Sequence, residues 1–181
     1  MRGYVGASSW STHWDEPVEK PKTPEPDPSP EGRLTVEELK EKIENGEIHT
    51  VTCLFEDCEG RAKGKMCAAQ DFVTNVLENG KGACSVMYSI DHGCGIVPTE
   101  LTNWTTGFGD WMLFPDVESL YIMSWRPGNV AVFNDVYFNA SKSEKVPISP
   151  RNILKAQKAA AEKAGYAGAN AASELEFHIF D

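Results

Sequence analysis

The chain has 181 residues, 41% of them hydrophobic and 10% aromatic, which is enough for one packed domain of ordinary size or for one plus a fragment. With 27 acidic against 17 basic residues and a net charge of -10, it lacks the clustered Lys and Arg that a nucleic-acid backbone requires. No run approaches the roughly 20 apolar residues of a membrane span, and the opening MRGYVGASSW has no apolar core of a secretory leader, so a cytoplasmic location is expected. The cysteines, Cys53, Cys58, Cys67, Cys84 and Cys94, include no C-x-x-C pair, and their odd number fits reduced thiols better than a disulfide framework. Asn103-Trp104-Thr105 and Asn139-Ala140-Ser141 match the glycosylation triplet, but without a leader they read as chance.

In chain order, residues 1–31 form an acidic, Pro-rich tail. The stretch 15–31 holds six of the eleven prolines and too little apolar surface to offset the entropy of ordering. Order is expected from Leu34. Thr35 and Glu38 have the spacing of a capping box and Leu34 and Leu39 that of a hydrophobic staple, so a helix should run from Val36 to Asn45 and stop at Gly46. IHTVTCLFE (48–56) and RAKGKMCAA (61–69) read as strands joined by the turn DCEG. Phe72, Val73, Val76 and Leu77 have helical spacing within 70–80. ACSVMYS (83–89) reads as a strand, followed by a long loop from Asp91 to about Asp110. WMLF, YIMSW and VAVFNDVYF are further strands, the last two joined by the turn RPGN. KSEKVPIS is a polar hinge, Ser149 caps a helix with Pro150 in its first turn, and that helix runs to Gly165. The order of elements predicts an α+β unit whose helices cover one sheet face.

SELEFHIF (173–180) alternates Leu175, Phe177 and Ile179 with Glu174, Glu176 and His178, the period of a strand with one apolar and one polar face. Such a polar face ordinarily meets water. Alternatively, two carboxylates roughly 7 Å apart can each hold a hard divalent cation such as Mg²⁺ or Mn²⁺. Each octahedral site needs about six ligands, so two carboxylates leave the site incomplete.

Four stretches carry a resemblance to the glutamine synthetase family. ELEFHIFD is similar to the family's E-x-E-F strand, and SPRNILKAQKAAAEKAGY to its PR-x-x-L…GY helix. FEDCEGRAKGK resembles the D-x-x-G-x-x-(R/K)-G-K hairpin of the N-terminal β-grasp domain. GFGDWMLFPDVESLYIMSWRPGNVAVFNDVY follows the family's GD…L-x-PD…PW-x-PG-x-A…D stretch. The matches occur in family order across about residues 34–181. The resemblance implies a β-grasp domain over 32–145 and, over 146–181, the first helix and strand of a truncated catalytic barrel. It implies an ATP-dependent ligase of nitrogen metabolism: the γ-carboxylate of glutamate takes the terminal phosphoryl group of ATP, and ammonia or another amine then displaces phosphate. Glu176 is implied as a ligand of the Mg²⁺ or Mn²⁺ that positions glutamate, and Glu174 as a ligand of the one holding ATP phosphates. His178 has no ligand counterpart.

The resemblance also implies a homo-oligomeric ring with active sites at subunit junctions, where a loop acid in an F-D-G-S-S motif binds ammonium and takes its proton. Here that place reads SIDHGCG, which makes Asp91 either the acid or a turn-forming Asp. Divergent branches use other amines, and one, lengsin, is structural and non-catalytic. The chain alone, lacking a nucleotide-binding element, is expected to be inactive. Trp104, Trp111 and Trp125 could line an acceptor pocket or anchor the sheet. Arg61, Lys63 and Lys65 share a strand face that could meet an acidic neighbour or stand as a solvated cationic edge.

Overall fold

The computed structural model describes residues 32–180. The acidic tail of residues 1–31 lies outside the described residues.

The capping box forms as its spacing predicts. The Thr35 hydroxyl accepts from the Glu38 amide at 3.1 Å, the Glu38 carboxylate accepts from the Thr35 amide at 2.7 Å, and helix α1 runs Val36–Glu44. Strands β1 (Thr50–Glu56) and β2 (Ala62–Ala68) pair as an antiparallel hairpin, with Cys53 opposite Lys65. The second helical segment opens as α2 (Ala69–Asp71), widens into a π-helical turn over Phe72–Val76 and closes as α3 (Leu77–Asn79). Phe72 and Val76 on that turn are fully buried.

The predicted strand 83–89 is only half right. Strand β3 covers Lys81–Cys84, and the chain then winds into a 3₁₀ turn over Ser85–Tyr88. The reason is tertiary. Ser85 is drawn to the loop, its amide donating to Gly109 O and its hydroxyl 2.7 Å from that of Thr102. The turn then tucks Tyr88 between Phe55 and Trp111, with ring centroids 5.5 and 5.4 Å away. Strand β4 is Asp110–Pro115, β5 is shortened to Tyr121–Ile122, and β6 is Asn129–Tyr137. β5 stops early because Met123 opens the turn into β6, closed by bonds between Met123 and Asn129 and between Arg126 and Met123.

The strands form one mixed sheet in the order β2-β1-β6-β4-β3, with β5 also against β6. β1 and β6 run parallel, and the other pairs are antiparallel. β6 changes neighbours midway: β1 pairs with it up to Phe133, and β4 from Asn134. Buried Asn134 sits at that switch and donates to Leu54 O at 2.9 Å and Val132 O at 3.0 Å. Val51, Cys53 and Phe55 alternate on β1, as do Val130, Val132 and Val136 on β6, so one face of the sheet carries the core. One end of that face is covered by α1 and the π turn through Leu39, Phe72 and Val76. At the other end Tyr88, Trp111 and Leu113 close over Phe55.

The two outer strands approach each other. Lys65 Nζ on β2 donates to Gly82 O on β3 at 2.7 Å, and Lys63 Nζ reaches Met87 O at 3.4 Å, giving the sheet a partly barrel-like curl. Gly64 lies between these lysines because a Cβ there would stand 2.5 Å from Cys53 O. Helix α4 (Pro150–Lys163) follows β6 and carries Pro at its start as expected.

The predicted strand over 173–180 does not form. Residues 166–180 have no hydrogen-bonded secondary structure, and Leu175, Phe177 and Ile179 are 86%, 76% and 86% exposed. A strand is stabilised by the ladder it shares with a neighbour. The described sheet offers this segment none.

Candidate functional site

Asp57 is the electrostatic centre of the β1–β2 hairpin. Its side chain is 3% exposed, and four donors converge on it. Oδ1 accepts from the amides of Glu59 at 3.0 Å and Arg61 at 2.9 Å; Oδ2 accepts from Arg61 Nε at 2.8 Å and lies 3.0 Å from Lys63 Nζ. Burial opposes the charge on Asp57, but these donors outweigh it and hold the carboxyl well below the usual carboxylate range. Arg61 also reaches Glu59 at 2.7 Å. So Arg61 and Lys63 are neither a free cationic edge nor a face awaiting an acidic neighbour, because their charges are spent on Asp57. The signal in the sequence was the Asp that opens D-x-x-G, the residue type that caps a turn through its own side chain.

The loop carrying Asp91 lies against this hairpin. His92 Nδ1 stands 2.6 Å from Glu59 Oε2, and Cys58 Sγ lies 3.9 Å from Tyr88 O. Asp91 closes its own loop: its amide donates to Gly95 O at 2.9 Å, and its Oδ1 accepts from the Gly95 amide at 2.7 Å. A Cβ at Gly95 would stand 2.8 Å from Asp91 Oδ2, so any larger residue there would have to turn this carboxylate. Asp91 is nonetheless exposed, so a turn-forming carboxylate still faces solvent.

Glu174, Glu176 and His178 are exposed on the segment without secondary structure, with the His178 and Phe180 ring centroids 6.2 Å apart. Neither glutamate shares a hydrogen bond or ion pair with the Asp91 loop among the described residues. Glu174 and Glu176 supply oxygen donors of the type Mg²⁺ and Mn²⁺ take. No group of three or more His, Cys, Asp or Glu among the described residues is arranged to hold a metal. The described residues therefore contain part of a divalent-metal site at most.

The tryptophans divide. Trp111 is buried and packs against Tyr88 and Phe138, a sheet anchor. Trp104 and Trp125 are 74% and 70% exposed. Trp104 stands edge-on to Phe108 at 5.0 Å on a loop braced by Asn103, whose Oδ1 accepts from the amides of Thr105 and Thr106. The Asn103 side-chain nitrogen donates to Thr99 O at 2.9 Å. No helix among the described residues is long and apolar enough to cross a membrane.

No family model matches the chain. Two curated relatives do. Gamma-glutamylethanolamide synthetase GlnA4 of Streptomyces coelicolor is 32% identical over 148 residues, which is 81% of this chain and 31% of the relative. The glutamate–isopropylamine ligase of a Pseudomonas species is 27% identical over 154 residues, 84% of this chain and 33% of that protein. The chain thus spans about a third of the length of the curated relatives it matches. Among solved structures, GmaS in complex with ADP aligns with TM-score 0.54 and GmaS without ligand with 0.53. Both are 24% identical and cover 70% of this chain, and the aligned part is 25% and 26% of those chains. The ordered motifs, the mixed and partly closed sheet and these relatives converge: the chain belongs to the glutamine synthetase family.

Proposed function

We propose that this chain is the N-terminal part of an ATP-dependent glutamate–amine ligase that works through γ-glutamyl phosphate. Residues 32–145 are its β-grasp domain and 146–181 the start of its catalytic domain. The observation that carries this reading is the match over 81% and 84% of the chain to two proteins named as a γ-glutamylethanolamide synthetase and a glutamate–isopropylamine ligase. Both printed acceptors are amines other than ammonia, and the Asp91 loop lacks the paired serines expected for ammonium. The acceptor we favour is therefore a small primary amine. Its cation would be drawn to the exposed Asp91 carboxylate at a junction between ring subunits, and its proton would pass to that carboxylate as the amine attacks the acyl phosphate.

Glu174 and Glu176 would hold Mg²⁺ or Mn²⁺, which would neutralise phosphate charge. The other ligands such a site needs would come from outside the described residues, which hold no group of three or more His, Cys, Asp or Glu arranged for a metal. The 173–180 segment would become a strand only when further barrel strands lie beside it, in keeping with its exposed Leu175, Phe177 and Ile179. A cytoplasmic setting suits the five unpaired thiols.

The test is ADP formation by the protein that carries this sequence, supplied with ATP, Mg²⁺, glutamate and, in turn, ammonia, ethanolamine, isopropylamine or methylamine. Amine-dependent ADP release is expected, lost on Glu174→Ala or Glu176→Ala and reduced on Asp91→Asn, whereas the 181-residue chain alone should not turn over. ADP release independent of amine would overturn the ligase reading, and amine-dependent release undiminished in both glutamate variants would remove their metal role. No ADP release with any of the amines would leave a non-catalytic, lengsin-like role.

A further inference from the structure

Helix α4 is attached to the rest of the protein by the wrong face for an ordinary surface helix, which docks through an apolar stripe. Its one buried residue is Asn152, whose Nδ2 donates to Val136 O at 2.8 Å and Val146 O at 3.0 Å. Its aliphatic side chains Ile153 and Leu154 are 47% and 70% exposed. With Pro147, Ile148 and Cys58 they line an open groove of about 540 Å³.

What meets the sheet instead is charge. Asp135 and Phe133 occupy the positions of β6 that alternate with the core valines, so they point to the opposite sheet face, where α4 lies. Arg151 and Lys155, one helical turn apart, reach down to Asp135 and to Asp116, which follows β4. Arg151 Nε lies 3.2 Å from Asp135 Oδ1, and Arg151 also pairs with Asp116 Oδ2. Lys155 Nζ spans both acids, 2.9 Å from Asp116 Oδ2 and 2.8 Å from Asp135 Oδ1. Lys145 adds a third cation 3.0 Å from Asp135 Oδ2, and the Arg151 guanidinium lies 5.5 Å from the Phe133 ring centroid. The Asp135 and Asp116 side chains are 14% and 20% exposed, so both acids are largely shielded from water, while Lys145 and Lys155 keep part of their surface in solvent. Burial disfavours charge on both acids, yet the cations prevail and hold both carboxyls below their ordinary value.

We propose that Asp116 and Asp135 are positioning residues that fix the direction of α4, and with it the point from which Glu174 and Glu176 set out. What that segment binds rests on the ligase reading; the clasp does not. Direction matters because a helix of 14 residues is rigid over about 21 Å. A tilt of about 20° at the clasp would displace its far end by roughly 7 Å, more than the reach of a metal–ligand bond.

The test is amide hydrogen exchange on the full chain, without ATP or metal, so its outcome is independent of the ligase assay. Asp116→Asn with Asp135→Asn should cut protection of the α4 amides at least tenfold and leave those of β1 and β6 unchanged, whereas Asp135→Glu should keep most of it. Ile153→Ala and Leu154→Ala should not matter, because those side chains face solvent. In the native chain, α4 protection corrected for intrinsic exchange should also fall as pH drops below about 4, where Asp116 and Asp135 gain protons while Arg151, Lys155 and Lys145 stay charged. The double variant should show no such step. Unchanged α4 protection in the double variant, or equal loss in Leu154→Ala, overturns the proposal. If the double variant does not fold, Lys155→Gln decides: loss confined to α4 supports the clasp, and uniform loss or none refutes it.

Discussion

The sharpest prediction concerns Asp57. Asp57→Ala deletes an acceptor used by two backbone amides and two cations inside a hairpin where its side chain is 3% exposed. The two amide bonds are worth about 1 kcal/mol each. Arg61 is 38% exposed and keeps Glu59 as a partner, so its share is that of a surface pair, about 0.5 kcal/mol. Lys63 is 22% exposed and is left with only the 3.4 Å contact to Met87 O, a loss of about 1 kcal/mol. The expected cost is therefore about 3–4 kcal/mol at pH 7. At roughly 2–4 °C per kcal/mol for a chain of this size, the melting temperature should drop by about 10 °C. Asp57→Asn keeps an oxygen for the two amides and should lose about half as much. Because the folded carboxyl is held below its unfolded value, Asp57 stabilises fully above about pH 4 and progressively less as pH falls. The gap between wild type and Asp57→Ala should therefore shrink in acid. Thermal and urea unfolding followed by circular dichroism measure all of this. A loss below about 1 kcal/mol for Asp57→Ala, or equal losses for Ala and Asn, would refute the reasoning.

Two further predictions follow from close packing and burial. Gly128 has φ +75, and a Cβ there would stand 2.3 Å from His49 Nε2, so Gly128→Ala should destabilise by about 2–4 kcal/mol in urea unfolding. Adding His49→Ala should restore the steric part and leave only the cost of the positive φ; no recovery at all would show that the imidazole is not the obstacle. Among the thiols, exposed Cys58 and Cys94 should react with a disulfide reagent at once, while fully buried Cys53 should react only at the rate of unfolding. Cys53 is protected twice, since the neighbouring Cys67 thiol and its own burial both push its pKa up. Equal rates for the three would contradict the packing of β1 against the helical cover.

What the sequence determined by itself was local. The Thr35–Glu38 box, the D-x-x-G turn, the alternation along β1 and β6 and the proline-led helix α4 each depend on residues within a few positions of one another, so they were legible one segment at a time. Family membership was legible for a related reason, because ordered short motifs survive in the linear chain. Tertiary structure decided whatever needed a distant partner. Val86, Met87 and Tyr88 read as strand, yet the pull of Phe55 and Trp111 on Tyr88 bends them into a turn. The three tryptophans looked alike until packing buried Trp111 and left Trp104 and Trp125 outside. Lys63 and Lys65 alternate like a solvated edge, but sheet curl brings them to Met87 and Gly82, 24 and 17 positions on. The charges of α4 find Asp116 across 39 residues. The last segment shows the same dependence in reverse: Leu175, Phe177 and Ile179 have perfect strand alternation, but a β-ladder is a property of two strands, and the described sheet supplies no partner for this one.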